Sequence, residues 1–170
     1  HSRHDTISGS PLARKRRACT FARLWLSMYN RPAYSERNEA RMKLQGRVAI
    51  ITGASSGVGY ETARLLAREG AVVAAAARRR DKLEWLVGEI AGDGGQALAI
   101  PTDVTDSIQV ARLVDSIYNL FGRVDILVNA AGVVLKVAPL EQFSDQEFHA
   151  ILNTNLGGAF KVGRAVARRM

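Results

Sequence analysis

Residues 48–59 have the sequence VAIITGASSGVG, and this stretch decides the fold. It begins with a continuous apolar run, Val48 to Ile51, which is typical of a strand buried on both faces. The run leads into a turn that contains Gly53, Gly57 and Gly59. Glycine at such a turn permits a tight bend and lets the backbone approach a pyrophosphate closely. The helix that follows would offer free N–H groups to the phosphates, and Ser55 and Ser56 would add hydroxyl donors.

Outward from this stretch, short apolar runs alternate with amphipathic helical patterns. Further strands are predicted at 71–77, 97–100 and 126–128. Helices are predicted at 58–68, at 80–91, from Asp106 to Leu120, and from Ser144 or Asp145 to the chain end. Their inward residues are predicted to include Val58, Ala63, Leu65, Leu66, Ile108, Leu113, Val114, Ile117, Phe148, Leu152, Leu156 and Phe160. This alternation, with right-handed crossovers, predicts an α/β fold with a doubly wound, Rossmann-like parallel sheet of about four strands.

Residues 1–41 differ in composition from residues 42–170. This leader holds nine Lys and Arg against three acidic residues, whereas the rest of the chain holds fifteen against thirteen. It has no helical or strand periodicity, so we expect it to be disordered and dispensable, with Met42 as the natural start. Its Arg-rich, acid-poor composition leaves an organelle transit peptide and a nucleic-acid-binding arm as alternatives.

Composition limits the remaining function classes. The chain is 47% hydrophobic and 24% charged, as expected of a soluble globular domain. Its single cysteine, Cys19, cannot form an internal disulfide, which favours a reducing, cytoplasmic compartment. No run approaches the roughly 20 apolar residues that span a bilayer, so no membrane partner is predicted. Most of the net charge of +8 lies in the leader, so the domain is not predicted to bind nucleic acid, and no metal site is predicted.

The end of the second predicted strand indicates which dinucleotide would bind. In an NAD site, an acidic residue about 20 positions after the glycine turn accepts hydrogen bonds from the ribose 2′-hydroxyl. Here that place holds Ala77, followed by Arg78, Arg79 and Arg80. Guanidinium groups bind a 2′-phosphate through paired, charge-assisted hydrogen bonds. The pattern predicts NADP(H) as the cofactor, with Arg78 as the main contact and Arg79 as the second, while Arg80 is assigned to a solvated helix start.

Four motifs in order resemble those of the short-chain dehydrogenase/reductase family, over roughly residues 43–170. They are Gly53-x-x-x-Gly57-x-Gly59, Asp103-Val104, Asn129-Ala130-Ala131-Gly132 and Asn155-Leu156-Gly157. The resemblance implies that the whole glycine turn, including Val58, binds the cofactor. It implies that Asp103 meets the adenine amino group and that Val104 adds a backbone contact. From its position alone, Asp103 could instead serve as a turn residue.

The resemblance also implies roles for the later two motifs. Residues 129–132 would line the cofactor and join neighbouring strands, although Ala130 stands where the family usually has a second Asn. Asn155 would lie at a local irregularity of the last helix and hold a water that serves the catalytic proton relay. On this view Asn155 is the one catalytic residue predicted within the chain.

In this family hydride passes between the nicotinamide and a carbonyl or secondary alcohol, while a Ser polarises the carbonyl and the Tyr of a Tyr-x-x-x-Lys motif, its pKa lowered by the Lys, donates or takes the proton. Four positions after Tyr29, Tyr34, Tyr60 and Tyr118 stand Ala33, Asn38, Arg64 and Gly122. None of these is Lys. We therefore expect a C-terminally truncated, NADP(H)-binding part of an oxidoreductase, inactive alone. The complete enzyme would act on a small carbonyl or alcohol and form a homo-oligomer. A non-catalytic dinucleotide-binding or interaction protein is the alternative.

Overall fold

The computed structural model describes residues 42–134 and 136–170; the predictions made for residues 1–41 lie outside this part of the chain. Each predicted strand and helix is present, with ends moved by one or two residues, except that the last helix contains a π-helical segment and ends three residues before Met170. The elements are β1 (Val48–Thr52), α1 (Gly57–Arg68), β2 (Val72–Ala77), α2 (Arg80–Gly92), β3 (Gln96–Pro101), α3 (Ser107–Phe121), β4 (Ile126–Asn129), a 3₁₀ turn (Leu140–Gln142), α4 (Asp145–Leu152), a π-helical segment (Asn153–Gly158) and α5 (Ala159–Ala167).

Within the described residues the four strands form one parallel sheet in the order β3-β2-β1-β4. Val48 pairs with Val72 on one side, and Ala49 pairs with Ile126 on the other. The chain therefore winds outward from β1 to β3 and then crosses back to place β4 on the opposite side of β1. A crevice forms at the carboxyl ends of the strands where the winding reverses, and ligands bind in such crevices. The predicted doubly wound, Rossmann-like α/β fold is confirmed.

The sheet is covered on both faces, because alternate strand residues point into two separate cores. One core joins Ala49, Ile51 and Val73 to buried residues of α1 and α2, among them Leu83 and Leu86. The other joins buried residues of the strands to helices α3 and α5; its members include Val48, Ile50, Ala74, Leu113, Ile117, Val162 and Val166. Burial on both faces explains why the strands are apolar throughout rather than alternating.

Some predictions of inward residues are wrong. Val58 is 77% exposed, Leu65 is 57% exposed and Ile108 is 64% exposed. Val58 and Ile108 lie in the first turns of α1 and α3. The buried face of α1 consists of Gly59, Ala63 and Ala67, which lie at four-residue intervals. These small residues bring the helix close to the sheet, so the larger residues on its other faces remain in solvent.

The last helix is also less buried than its pattern predicts. Val162 and Val166 of α5 are fully buried, whereas the large apolar residues before them are exposed; these are Phe148, Leu152, Leu156 and Phe160. Ser144 caps α4, and its side chain and that of Glu147 form a capping box. The apolar stripe is therefore present but faces away from both cores within the described part of the chain.

Candidate functional site

A cleft of about 310 Å³ opens at the carboxyl ends of the strands. It is lined by Gly53, Ser55, Ser56, Ala77, Arg78, Arg79, Thr102, Asp103, Val104, Ala130, Ala131, Gly132, Val133 and Thr154. Most of the residues predicted for the cofactor are thus brought together. The predicted residues that do not line the cleft are Gly57, Val58, Gly59, Asn129 and Asn155. Sequence reasoning missed three residues of the lining, Thr102, Val133 and Thr154. Each lies next to one of the motifs in the sequence but outside it, so the motifs did not select it.

The glycine turn approaches the segment after β4 more closely than a side chain would allow. Gly53 has a φ of +69°, and a Cβ atom there would lie 2.4 Å from the backbone oxygen of Ala130. A Cβ at Gly59 would lie 2.6 Å from the backbone oxygen of Gly53. Gly53 and Gly59 are therefore required by close backbone contact, whereas Gly57 is required by its φ of +59° in open space.

The N-terminus of α1 faces this turn without a side-chain cap. Ser56 is the N-cap residue, yet its side chain makes no capping hydrogen bond. Instead the hydroxyl oxygens of Ser55 and Ser56 each accept from the Arg79 guanidinium at 3.0 Å. The first N–H groups of α1 are thereby left for another acceptor, and an anion is the acceptor that a helix N-terminus favours.

The three consecutive arginines have different surroundings. Arg79 lies over the glycine turn, where its guanidinium also donates to the backbone oxygen of Ser55 at 3.4 Å. Arg78 lines the cleft, and its charge helps to lower the pKa of Asp103. Arg80 forms an ion pair with Glu84 at 3.6 Å, in agreement with its assignment to the helix start. The ranking of Arg78 above Arg79 stays a prediction, although Arg79 has more contacts with the turn.

Asp103 takes part in a tight turn after β3. One of its carboxylate oxygens accepts from the backbone N–H of Thr105 at 2.9 Å and from the Thr105 hydroxyl at 2.8 Å. These two hydrogen bonds, more than the charge of Arg78, hold the pKa of the Asp103 carboxyl below its usual value. Asp103 thus serves as a turn residue while also lining the cleft. Asp106 caps α3, as predicted, by accepting from the backbone of Ile108 and Gln109.

Thr52, the last residue of β1, was not predicted as a site residue. It is fully buried, and its hydroxyl oxygen accepts from the backbone N–H groups of Ala130 and Ala131 at 3.2 Å each. The hydroxyl can donate its one proton either to the Val128 carbonyl oxygen, 3.4 Å from the hydroxyl oxygen, or to the Asn129 amide oxygen at 3.5 Å. Thr52 thus fixes the cleft-lining segment to β1. The amide of Asn129 donates to the Ala159 carbonyl at 3.3 Å, which joins β4 to α5.

Asn155 lies in the π-helical segment, at the place where an irregularity of the helix was expected. Its side-chain oxygen accepts from the Val133 N–H at 2.8 Å, and its amide nitrogen donates to the Val133 carbonyl at 3.1 Å. Gly132 lies directly against this amide, since a Cβ there would be 3.4 Å from the Asn155 oxygen. Asn155 therefore holds the end of the cleft wall in place, and its role in a proton relay stays a prediction.

The loop after the cleft is held by one lysine. The Lys136 ammonium donates to the Gln142 carbonyl at 2.7 Å, pairs with Glu147 at 2.8 Å and lies 5.0 Å from the centre of the Phe143 ring. Glu147 also accepts from the backbone N–H and the hydroxyl of Ser144. The hydrogen bond from Lys136, followed by those from Ser144, lowers the pKa of Glu147 to about 2.

We expect the Lys136→Met variant to raise the pKa of Glu147 toward its ordinary value of 4.5. Because the folded-state pKa is below that of the unfolded chain, the ionised Glu147 stabilises the fold above pH 4.5, and this stabilisation is lost as the pH falls toward 2. Carbon-detected NMR titration of the Glu147 carboxyl measures the shift. The exposed Lys82→Met is the matched control, and an equal pKa in all three proteins would contradict the assignment.

Comparison with known proteins identifies the family. A model of the short chain dehydrogenases matches residues 47–170, and the chain belongs to this family, whose members bind a nicotinamide cofactor. It is 40% identical to D-threitol dehydrogenase of Mycolicibacterium smegmatis over 128 residues, which are 75% of this chain and 49% of that protein.

Solved structures agree with this assignment. A short-chain type dehydrogenase/reductase from Mycobacterium marinum superposes with a TM-score of 0.72 at 41% identity, covering 77% of this chain and 53% of that one. A short chain dehydrogenase from Burkholderia cenocepacia, solved in complex with NADP, gives a TM-score of 0.69 at 34% identity, covering 75% of this chain and 52% of that one. The chain spans about half the length of the relatives it matches. No helix of residues 42–134 and 136–170 combines the length and apolarity needed to cross a membrane.

Proposed function

We propose that residues 42–170 are the cofactor-binding part of an NADP(H)-dependent oxidoreductase. One observation supports the choice of NADP(H) over NAD(H). Arginines follow the end of β2 and lie beside the glycine turn, where an NAD site has an acidic residue. Ala77 ends β2, and the guanidinium of Arg79 rests on the hydroxyls of Ser55 and Ser56. A ribose 2′-phosphate at this place would meet two guanidinium groups and no carboxylate from the end of β2.

The residues present fit the rest of the dinucleotide. Close backbone contacts exclude a side chain at Gly53 and at Gly59, so the turn has no side chain at these positions, where a pyrophosphate would lie. The N-terminus of α1 presents uncapped N–H groups beside the turn. On the adenine side we assign Asp103 and Val104, which line the cleft beyond Arg78. On the other side we assign the segment 130–132, which Thr52 and Asn155 hold in place.

In the complete enzyme the bound nicotinamide would supply or accept a hydride, and a small molecule with a carbonyl or secondary alcohol would be its partner. The residues that line the cleft would bind and orient the cofactor, and the proton transfer to or from the substrate is not assigned to them. The reason is that no tyrosine in the 170 residues is followed by lysine four positions on. Homo-oligomer formation belongs to the same proposal and is supported by the exposed Phe148, Leu156 and Phe160.

The test is the affinity for NADPH and NADH of the wild-type chain and of single arginine variants, measured by calorimetry. We expect wild type to prefer NADPH by about tenfold or more, and Arg78→Ala and Arg79→Ala each to lose a large part of this preference, since a charge-assisted hydrogen bond contributes about 1.5–3 kcal/mol. The predicted ranking of the two arginines requires the larger loss in Arg78→Ala.

Arg80→Ala is the matched control, because Arg80 belongs to the same run but pairs with Glu84. It should keep the wild-type preference. Equal binding of the two cofactors by wild type would refute the assignment to NADP(H). The same loss in Arg80→Ala and Arg79→Ala would show that the run acts through its net charge alone.

A further inference from the structure

Lys161 lies on α5 and takes no part in the site described above. Its ammonium donates to the backbone oxygen of Thr105 at 2.7 Å, across 56 residues of chain, and the contact is half-buried. Within the described residues this carbonyl is its one hydrogen-bond acceptor, and no carboxylate pairs with it. Partial burial of an ammonium costs free energy that its hydrogen bond must offset. A lysine that serves only solubility would extend into water instead.

Thr105 belongs to the turn that carries the adenine-side residues of the cleft. The turn is closed on itself, because Thr105 donates twice to the Asp103 carboxylate and the Asp106 N–H donates to the Asp103 carbonyl at 3.1 Å. These hydrogen bonds join polar groups within the turn, and the Thr105 carbonyl is not among them, so it can accept from Lys161 of α5. The turn therefore behaves as one rigid piece, and Lys161 holds it from outside.

A second contact joins the same two parts of the molecule. A Cβ atom at Gly158 would lie 2.5 Å from Cγ2 of Val104, so the end of the π-helical segment packs directly on the turn. Val104 and Thr154 both line the cleft, whereas Lys161 does not. The distance between the turn that carries Val104 and the segment that carries Thr154 thus depends on two contacts outside the cleft, one at Gly158 and one at Lys161.

We propose that Lys161 is a positioning residue that sets the affinity for the adenine half of the cofactor by fixing the turn of Asp103 and Val104 against the last helix. The inference rests on the proposed binding of NADP(H). Lys161 does not line the cleft, so its effect passes through the Thr105 carbonyl. Loss of the contact frees the turn to move, and ligand binding must then restore its order, which lowers affinity.

The experiment compares Lys161→Met, which removes the donor, with Lys161→Arg, which keeps it. Arg164→Met is the matched control, since Arg164 lies one turn further along α5, is exposed and rests on the Phe160 ring. Dissociation constants are measured by calorimetry for NADPH, for 2′,5′-ADP as the adenine half, and for reduced nicotinamide mononucleotide as the other half. We expect Lys161→Met to weaken NADPH and 2′,5′-ADP by the same factor, about three- to tenfold, and to leave the mononucleotide unchanged.

Lys161→Arg should restore the wild-type affinities, and Arg164→Met should match wild type. Unchanged affinity of Lys161→Met for 2′,5′-ADP, or an equal loss for the mononucleotide, would overturn the proposal. Hydrogen exchange at the backbone amides of 103–106 tests the contact without any cofactor. Faster exchange in Lys161→Met alone supports the contact, and exchange equal to wild type overturns it. If wild type binds no NADPH while this exchange difference is present, the proposed function fails and the contact between turn and helix stands.

Discussion

The Gly53→Ala variant is expected to lose cofactor binding and much of its stability. The new methyl group would lie 2.4 Å from the Ala130 oxygen and 2.7 Å from the Ala131 nitrogen, both backbone atoms that cannot rotate away. The φ of +69° adds the cost of a left-handed conformation for alanine. Together we expect a loss of about 3 kcal/mol in the free energy of unfolding, measured in urea. We also expect a rise of about a hundredfold in the Kd for NADPH, because the turn would move away from the place where we propose that the pyrophosphate binds.

The Gly122→Ala variant separates the two causes of destabilisation, which are the steric clash and the left-handed backbone conformation. Gly122 has a φ of +71°, almost that of Gly53, but a Cβ there would meet nothing within 4 Å. It ends α3, away from the cleft, so its alanine variant carries only the conformational cost of about 1 kcal/mol. Equal destabilisation by the two variants would show that the close contact with Ala130 is unimportant, and unchanged NADPH binding by Gly53→Ala would show that the turn does not contact the cofactor.

The second large effect is expected for Thr52→Val. Valine preserves the shape of the side chain but removes the acceptor of the Ala130 and Ala131 N–H groups in a fully buried place. Each unsatisfied N–H costs about 1–3 kcal/mol, so we expect the variant, which leaves two of them, to lose about 2–6 kcal/mol of unfolding free energy. The segment 130–132 should also exchange its amide hydrogens faster, because it is no longer tied to β1.

Two variants serve as controls for Thr52→Val. Thr52→Ser keeps the hydroxyl and should lose only the contribution of one methyl group, about 1 kcal/mol. Thr102→Val removes a second buried threonine hydroxyl, which donates to the Ile100 carbonyl and accepts no backbone N–H within residues 42–134 and 136–170. It should cost less than Thr52→Val. A Thr52→Val protein as stable as Thr52→Ser would rule out the proposed role of the hydroxyl oxygen.

The fold was predictable because its signals are local. The apolar runs, the glycine turn and the capping residues Asp106 and Ser144 each act within a few residues of chain, and the structure has them where they were expected. Exposure was predicted less well. Val58 and Ile108 satisfy a helical pattern, but their positions in a first turn keep them off the sheet. The close packing of α1 depends on Ala63 and Ala67, whose small size makes them weak signals in a hydrophobic pattern.

The contacts that shape the cleft were beyond the reach of sequence patterns. Thr52 meets Ala130 across 78 residues, and Lys161 meets Thr105 across 56. Both contacts exist only because the order of the strands brings distant segments together, and neither residue type is unusual at its position. The position of Arg79 over Ser55 and Ser56 likewise depends on how β2 lies beside the glycine turn. Sequence thus predicted which segments line the cleft and not which side chains hold them there.

The π-helical segment also has a consequence for how the chain tolerates insertions and deletions. Each added or lost residue in a helix rotates everything beyond it by about 100°, since there are 3.6 residues per turn. The wider turn of the π-helical segment between Leu152 and Ala159 accommodates a residue more than regular α-helix would, so that Asn155 meets Val133 while Val162 and Val166 enter the core. A deletion of one residue in Asn153–Gly158 would therefore return the segment to regular α-helix, keep both valines on the sheet and remove the contact between Asn155 and Val133. A deletion of one residue within α5 itself would instead turn the residues beyond it out of phase with the sheet.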